Sequence, residues 1–284
     1  MSSFLQELGP VAVSHRQEVE EVKRQLNMRR EELDCWVYSF LENKKFDVEE
    51  TVAKLKRRLA MEAEEMAKYE FTDYMHESLR SGIIQVIGTD KSGRTVFYVT
   101  VSRDKKEADH RDEKKRTFDL MVSYGTQLRA DNKRGQMVLL VNYENASLWS
   151  NVDLPFLADL ALRLSKFFPG CVSKVYVCNI GATVCTVLVP FVSQLPASLS
   201  ENIKFLTSVD VSSGSLLEFI DEDVLPVALG GKNDCDNQAE WDRHGEVIET
   251  YFNQMREAVV DRGLTLKDWE LECLDLESKA CCKD

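Results

Sequence analysis

The chain has 284 residues, with 48 acidic and 36 basic side chains and a net charge of −12. That balance excludes a general affinity for nucleic acid, whose phosphates demand clustered Lys and Arg. Hydrophobic residues make up 44% of the chain, ample for a large core, yet the greasiest stretch, residues 175–199, is broken by Asn179, Gly181, Pro190, Gln194 and Pro196 and cannot span a bilayer.

Residues 15–70 read as helices. Val19, Val22, Leu26, Leu33 and Val37 recur at helical spacing and form one face. Asp47 is an N-cap for a second helix, with Glu49 and Glu50 in its first turn and Val48, Val52, Leu55 and Leu59 as its packing face. Near Gly82 the period changes to that of strands. Residues 83–87 lead into the turn Gly88-Thr89-Asp90-Lys91-Ser92-Gly93-Arg94, and Thr95 to Val101 form the next strand. A charged loop, residues 102–116, precedes a helix over about 113–130. Residues 137–141 are a strand. Pro155 opens a helix whose Leu157, Leu160, Ala161, Leu164 and Phe168 share a face. Residues 175–179 and 203–206 supply two more strands, and the segment from Trp241 is helical, then frayed. Alternation of this kind predicts an α/β layer with a largely parallel sheet behind a helical N-terminal unit.

Cofactor and catalytic chemistry find little support. His15, His76, His110 and His244 are scattered, without partners at metal-ligand spacing. There is no G-x-S-x-G elbow and no phosphate-binding glycine loop. Cys178 and Cys185 lie in apolar sequence without a flanking base, which argues against a low-pKa nucleophile. The eight cysteines form no C-x-x-C pair, and no basic segment followed by an apolar core opens the chain, so a reduced, intracellular setting is expected. Neither catalytic nor metal-binding residues are expected. Cys281-Cys282 precede Lys283 and do not make a prenylation box. Lys44-Lys45 and Lys56-Arg57-Arg58 read as solvated helix faces, with lipid phosphates as the alternative.

The distinctive stretch lies between Lys174 and Glu201, which carries no charge at all. A buried core helix and the wall of a cavity for an apolar ligand use the same residue types, and composition does not separate them.

The order of motifs around that stretch resembles the CRAL-TRIO family of lipid-binding and lipid-transfer proteins. Residues 40–50 (Phe40-Leu41-Glu42-Asn43-Lys44-Lys45-Phe46-Asp47-Val48-Glu49-Glu50) are similar to its N-terminal "FLRARKFDVEKA" pattern. Gly88 to Phe97 resembles its "DKxGRPVF" lead into the first strand, and Phe168-Pro169 to Asn179 its "YPERLxKxYxxN" strand. Leu225-Pro226-Val227-Ala228-Leu229-Gly230-Gly231 resembles its closing "LPxEYGG". The resemblance covers about residues 35–233.

It implies a mixed, largely parallel sheet as the floor of a lipid pocket, a helical extension over residues 1–80, a lipid-binding domain over 81–233 and an acidic helical tail over 234–284. A gate helix would fall at about residues 183–200, with Val184, Val187, Leu188, Phe191 and Val192 facing the ligand. Val138, Leu140, Val175 and Val177 are the expected floor, the opposite strand parity being the alternative. The slots where phosphoinositide-binding members carry Glu and Lys are Gly170 and Asn202 here, Asn142-Tyr143-Glu144-Asn145 stands for "DLxG", and Gly181 replaces a Pro. The implied function is non-catalytic binding and inter-membrane transfer of one hydrophobic lipid. The bound lipid is the only ligand and no cofactor is needed. A cytoplasmic protein transiently associated with a membrane surface is expected, with a basic protein partner at the acidic tail and no nucleic acid. The alternative is a regulatory protein-interaction module with the same fold and a filled pocket.

Overall fold

A computed structural model of the chain describes residues 4–281. Five strands form one sheet in the order β1 (Ile84–Thr89), β2 (Thr95–Thr100), β3 (Met137–Asn142), β4 (Val172–Cys178) and β5 (Ile203–Phe205). β1 and β2 are antiparallel and the remaining pairs are parallel. The β1–β2 turn is built on Asp90, whose carboxylate accepts the Ser92 and Arg94 amides, each at 2.9 Å, and the Arg94 Nε–H at 2.7 Å. Gly93 is required there: at φ 78° a Cβ would meet the Asp131 carbonyl oxygen at 2.2 Å.

The helices used below are α1 (Arg16–Gln25), α2 (Asp34–Asn43), α3 (Val48–Ala60), α4 (Asp73–Leu79), α5 (Arg111–Gly125), α6 (Leu154–Phe167), α7 (Ala182–Val192), α8 (Gln238–Arg256) and α9 (Leu266–Cys281). Asp47 caps α3 by accepting the Glu50 amide at 2.8 Å. Asp153 caps α6 in the same way, with Pro155 in its first turn. One expectation changes. The periodic face from Val19 to Val37 is split between two helices, because the chain turns at Asn27 (φ 56°) and re-enters through a 3-10 turn at Glu31–Leu33. Asn tolerates that left-handed conformation better than other non-glycine residues.

Three layers result. One face of the sheet carries Val96, Tyr98, Val138, Leu140, Tyr176 and Cys178, covered by the segment from Leu206 to Cys235. The other face, with Phe97, Leu139 and Val175, packs on α5 and on Ile248, Tyr251, Phe252 and Met255 of α8. The N-terminal helices have their own core of Val19, Val22, Trp36, Val37, Leu41 and Leu55, joined by Leu271 of α9. The acidic C-terminal segment is therefore docked rather than trailing. Its helix runs to Cys281, where fraying was expected; Cys282 lies outside the described residues.

Candidate functional site

The second face of the sheet does not end in solid core. Towards β5 it opens into a cavity of about 250 Å³ between the sheet, α6 and α7. Its floor is Val99, Leu139, Val141, Val175 and Val177, with Ile203 and Phe205 on β5. Leu157, Leu160 and Leu164 of α6 form one wall at helical spacing. Leu188, Phe191 and Val192 of α7 form the lid, extended by Leu195 and Leu199.

The lid is shorter than the expected gate over residues 183–200: α7 stops at Val192, and Pro196, which disfavours helical backbone at Leu195, separates it from a helical turn at Ala197–Ser200. Leu188 is buried at 3% exposure while Val189, Pro190 and Thr186 face outward, so the helix is apolar within and uncharged without.

The predicted residues divide cleanly. Val175, Val177, Leu188, Phe191 and Val192 line the cavity. Val184 is buried at its end, against Val101, Tyr143, Val152 and Ile180. Val187 is half-buried and does not line it. Val138 and Leu140 point to the opposite face and pack with Tyr98 and Tyr176, which corrects the expected floor. The reason is register. Leu139 pairs with Val175 and Val141 with Val177, and parallel partners share a face, so the β3 residues that meet Val175 and Val177 are Leu139 and Val141.

Sequence reading missed the polar end of the cavity. It consists of Asp104, Tyr143 and Asn151, brought together from two loops. Asn151 is internally satisfied, donating to the Ser102 and Asp104 carbonyls at 3.1 and 2.6 Å. Asp104 accepts from Lys114 Nζ at 2.6 Å; burial nonetheless pushes its pKa up, against the pull of that lysine. Tyr143 is pushed up to about 12, by burial first and then by the Asp104 charge. Its hydroxyl has no hydrogen-bond partner among the described residues. The cavity thus offers a ligand a long apolar surface and one uncharged polar contact.

The two departures from the phosphoinositide pattern have structural counterparts. Gly170 has φ 77°, and a Cβ there would meet the Ser39 carbonyl oxygen of α2 at 2.5 Å, so no larger side chain fits. Asn202 is used locally: its carbonyl accepts the Val175 amide at 2.9 Å and its Nδ2 donates to Ser198 at 3.0 Å. Neither places a charge at the cavity. Cys178 lies on the far side of the sheet, its thiol pushed up to about 12 by burial. Among the described residues no three His, Cys, Asp or Glu side chains gather as a metal set, and no helix is long and apolar enough to cross a membrane.

Comparison with known proteins agrees with this geometry. The CRAL/TRIO domain family matches residues 79–231, and residues 6–65 match a domain of unknown function, DUF7353. No curated protein matches the sequence. The crystal structure of Sfh5 superposes with a TM-score of 0.57 at 16% identity, covering 78% of this chain and 81% of that one, a likeness of fold. The family match spans more than half of the 284 residues and takes in every strand, the α6 wall of the cavity and its lid. The chain belongs to the CRAL/TRIO family of lipid-binding proteins.

Proposed function

We propose that the protein binds a single apolar lipid in the cavity under α7 and exchanges it at membrane surfaces without making or breaking a covalent bond. The observation that carries this reading is the 250 Å³ apolar cavity between a sheet face and an uncharged helix. Kept dry, a cavity of that size costs on the order of 6 kcal/mol at ~24 cal/mol per Å³. That cost rivals the whole stability of a typical domain, ~5–15 kcal/mol. Burying roughly eight methylenes at ~0.8 kcal/mol each would offset it. Described cysteine side chains are free thiols, in keeping with a reducing, cytoplasmic setting. Organic-solvent extraction of the purified protein followed by mass spectrometry tests the proposal. A stoichiometric lipid, and its transfer between vesicles, is expected; protein that is lipid-free and transfers nothing sinks it.

A second reading, a regulatory module for a basic protein, draws on the exposed carboxylates Glu246, Glu257 and Asp261, left outward when α8 buries Ile248, Tyr251, Phe252 and Met255. A partner captured by the wild type and released by charge reversal at those three positions would favour it.

A further inference from the structure

β2, β3 and β4 run parallel, so the segments after Thr100, Asn142 and Cys178 all leave the sheet at one end. On the middle segment stands Trp149, with 89% of its surface exposed. Trp36 and Trp269 are buried, and Trp241 lies half-buried beneath the Arg103 guanidinium at 4.3 Å. An indole left in water on a folded protein is the costly exception among aromatic side chains.

The loop that displays it is fixed in place. Asn151 Oδ1 accepts the Ser147 amide at 2.8 Å, and Asn151 Nδ2 ties the loop to Ser102 and Asp104. Lys106 completes the tie, donating its amide to Ser150 at 3.1 Å and its Nζ to the Leu148 carbonyl at 2.8 Å. Leu148 packs into the cluster that holds Val184 and Leu188 of the lid, so Trp149 stands beside the lid. Lys105 and Lys106 are exposed next to it, and the outer face of α7 adds Thr186, Val189 and Pro190 without a charge. The loop's Asp153 is paired with Arg111 at 2.6 Å.

We propose that this rim is a membrane-docking surface, with Trp149 seated at head-group depth in an anionic bilayer and Lys105 and Lys106 over the lipid phosphates. Indole rings favour that interface, and lysines near an anionic surface are drawn to it. The proposal rests on the lipid-exchange reading and names the surface through which it operates: docking places the lid against the bilayer, where an uncharged outer face meets no desolvation penalty.

Vesicles of phosphatidylcholine, with and without phosphatidylserine, test it through co-sedimentation and tryptophan emission. The wild-type emission moves to the blue on phosphatidylserine vesicles. Trp149→Ala abolishes that shift and lowers partitioning roughly tenfold. Lys105→Glu lowers it about fivefold, on the phosphatidylserine vesicles alone. Uptake of a fluorescent fatty-acyl probe in vesicle-free solution is unchanged in both variants. Equal partitioning of Trp149→Ala and wild type overturns the docking surface, as does wild type that binds neither vesicle; probe uptake in either case leaves the cavity reading standing. Loss of probe uptake with Trp149-dependent vesicle binding does the reverse: the docking surface stands and the cavity reading falls.

Discussion

Leu139 lies directly beside Val175 in the parallel β3–β4 pair, both side chains form the cavity floor, and the next residue, Leu140, is driven to the far face against Tyr98 and Tyr176. Two adjacent leucines therefore have opposite roles. Leu139→Trp pushes the floor up into the cavity: thermal unfolding stays within about 2 kcal/mol of wild type, because much of the added volume enters empty space, while uptake of an acyl probe falls about tenfold. Leu140→Ala hollows out the opposite core and costs about 2–5 kcal/mol, with probe uptake per folded molecule unchanged. Denaturant titration and probe binding on both variants check the assignment, and the reverse pattern would restore Leu140 to the floor.

Tyr143 presents an unpartnered hydroxyl to an otherwise greasy cavity, beside a carboxyl already engaged by Lys114. Its removal breaks no bond within the protein, so Tyr143→Phe leaves stability within ~0.5 kcal/mol. Affinity changes only for ligands that reach the hydroxyl with an oxygen of their own, by about 1 kcal/mol, or roughly fivefold. Matched probes show it: a long-chain alcohol weakens on the variant and the alkane of equal length does not.

What the sequence discloses about this fold is uneven, and the reasons are local. Asp47 announces its helix through a short side chain that reaches back to a backbone amide, and Pro155 announces the later one through its fixed backbone angle, signals needing no tertiary information; the Asp153 cap went unread. Strand parity is harder. β4 marks its faces, because Lys174 must avoid the cavity and leaves Val175 and Val177 to it; β3 reads Met137-Val138-Leu139-Leu140-Val141, apolar on both faces as a central parallel strand is. Only the register with β4, which slips between Met137 and Val138, decides the matter. The lid was legible as an uncharged segment, its inner face less so, since a helix whose only polar side chains are Thr183 and Thr186 has little polar side from which to orient it. Asp104 and Asn151 were out of reach, being 47 positions apart on two loops that meet only in three dimensions.

The lid itself should report on occupancy. α7 spans eleven residues, carries Pro190 in its interior and holds the cavity shut chiefly through Leu188, Phe191 and Val192. A helix of that length has little stability of its own in water, so its amides depend on what fills the space beneath. In the free protein the amides of residues 182–192 exchange through local opening, about tenfold or more faster than those of β2 and β3, which wait for global unfolding; a bound acyl ligand slows the lid by about tenfold or more and the strands only by the gain in global stability. Equal protection of α7 in the free and loaded protein would show a rigid lid and remove the gating step.

His244 gives the fold a defined weakness in mild acid. The ring is buried on α8 at 8% exposure, its Nδ1 lies 3.3 Å from the Leu79 carbonyl, and its Nε2 has no partner. Burial lowers its pKa from the ordinary 6.5, the hydrogen bond to Leu79 resists, and the neighbouring Arg243 adds to the lowering. A histidine whose folded pKa is depressed takes up its proton more readily in the unfolded chain. Its contribution is therefore complete above pH ~6.5 and is lost progressively as the pH falls from there towards the folded pKa. Urea midpoints of the wild type should decline across that window, ahead of the general acid transition in which carboxylates take up protons. His244→Gln, which keeps a donor for the Leu79 carbonyl but cannot titrate, should show a flatter profile there at the expense of some stability at neutral pH. Parallel profiles for the two proteins would place the acid sensitivity in other groups, Glu249 of the same helix, paired with Arg80 at 2.9 Å, among them.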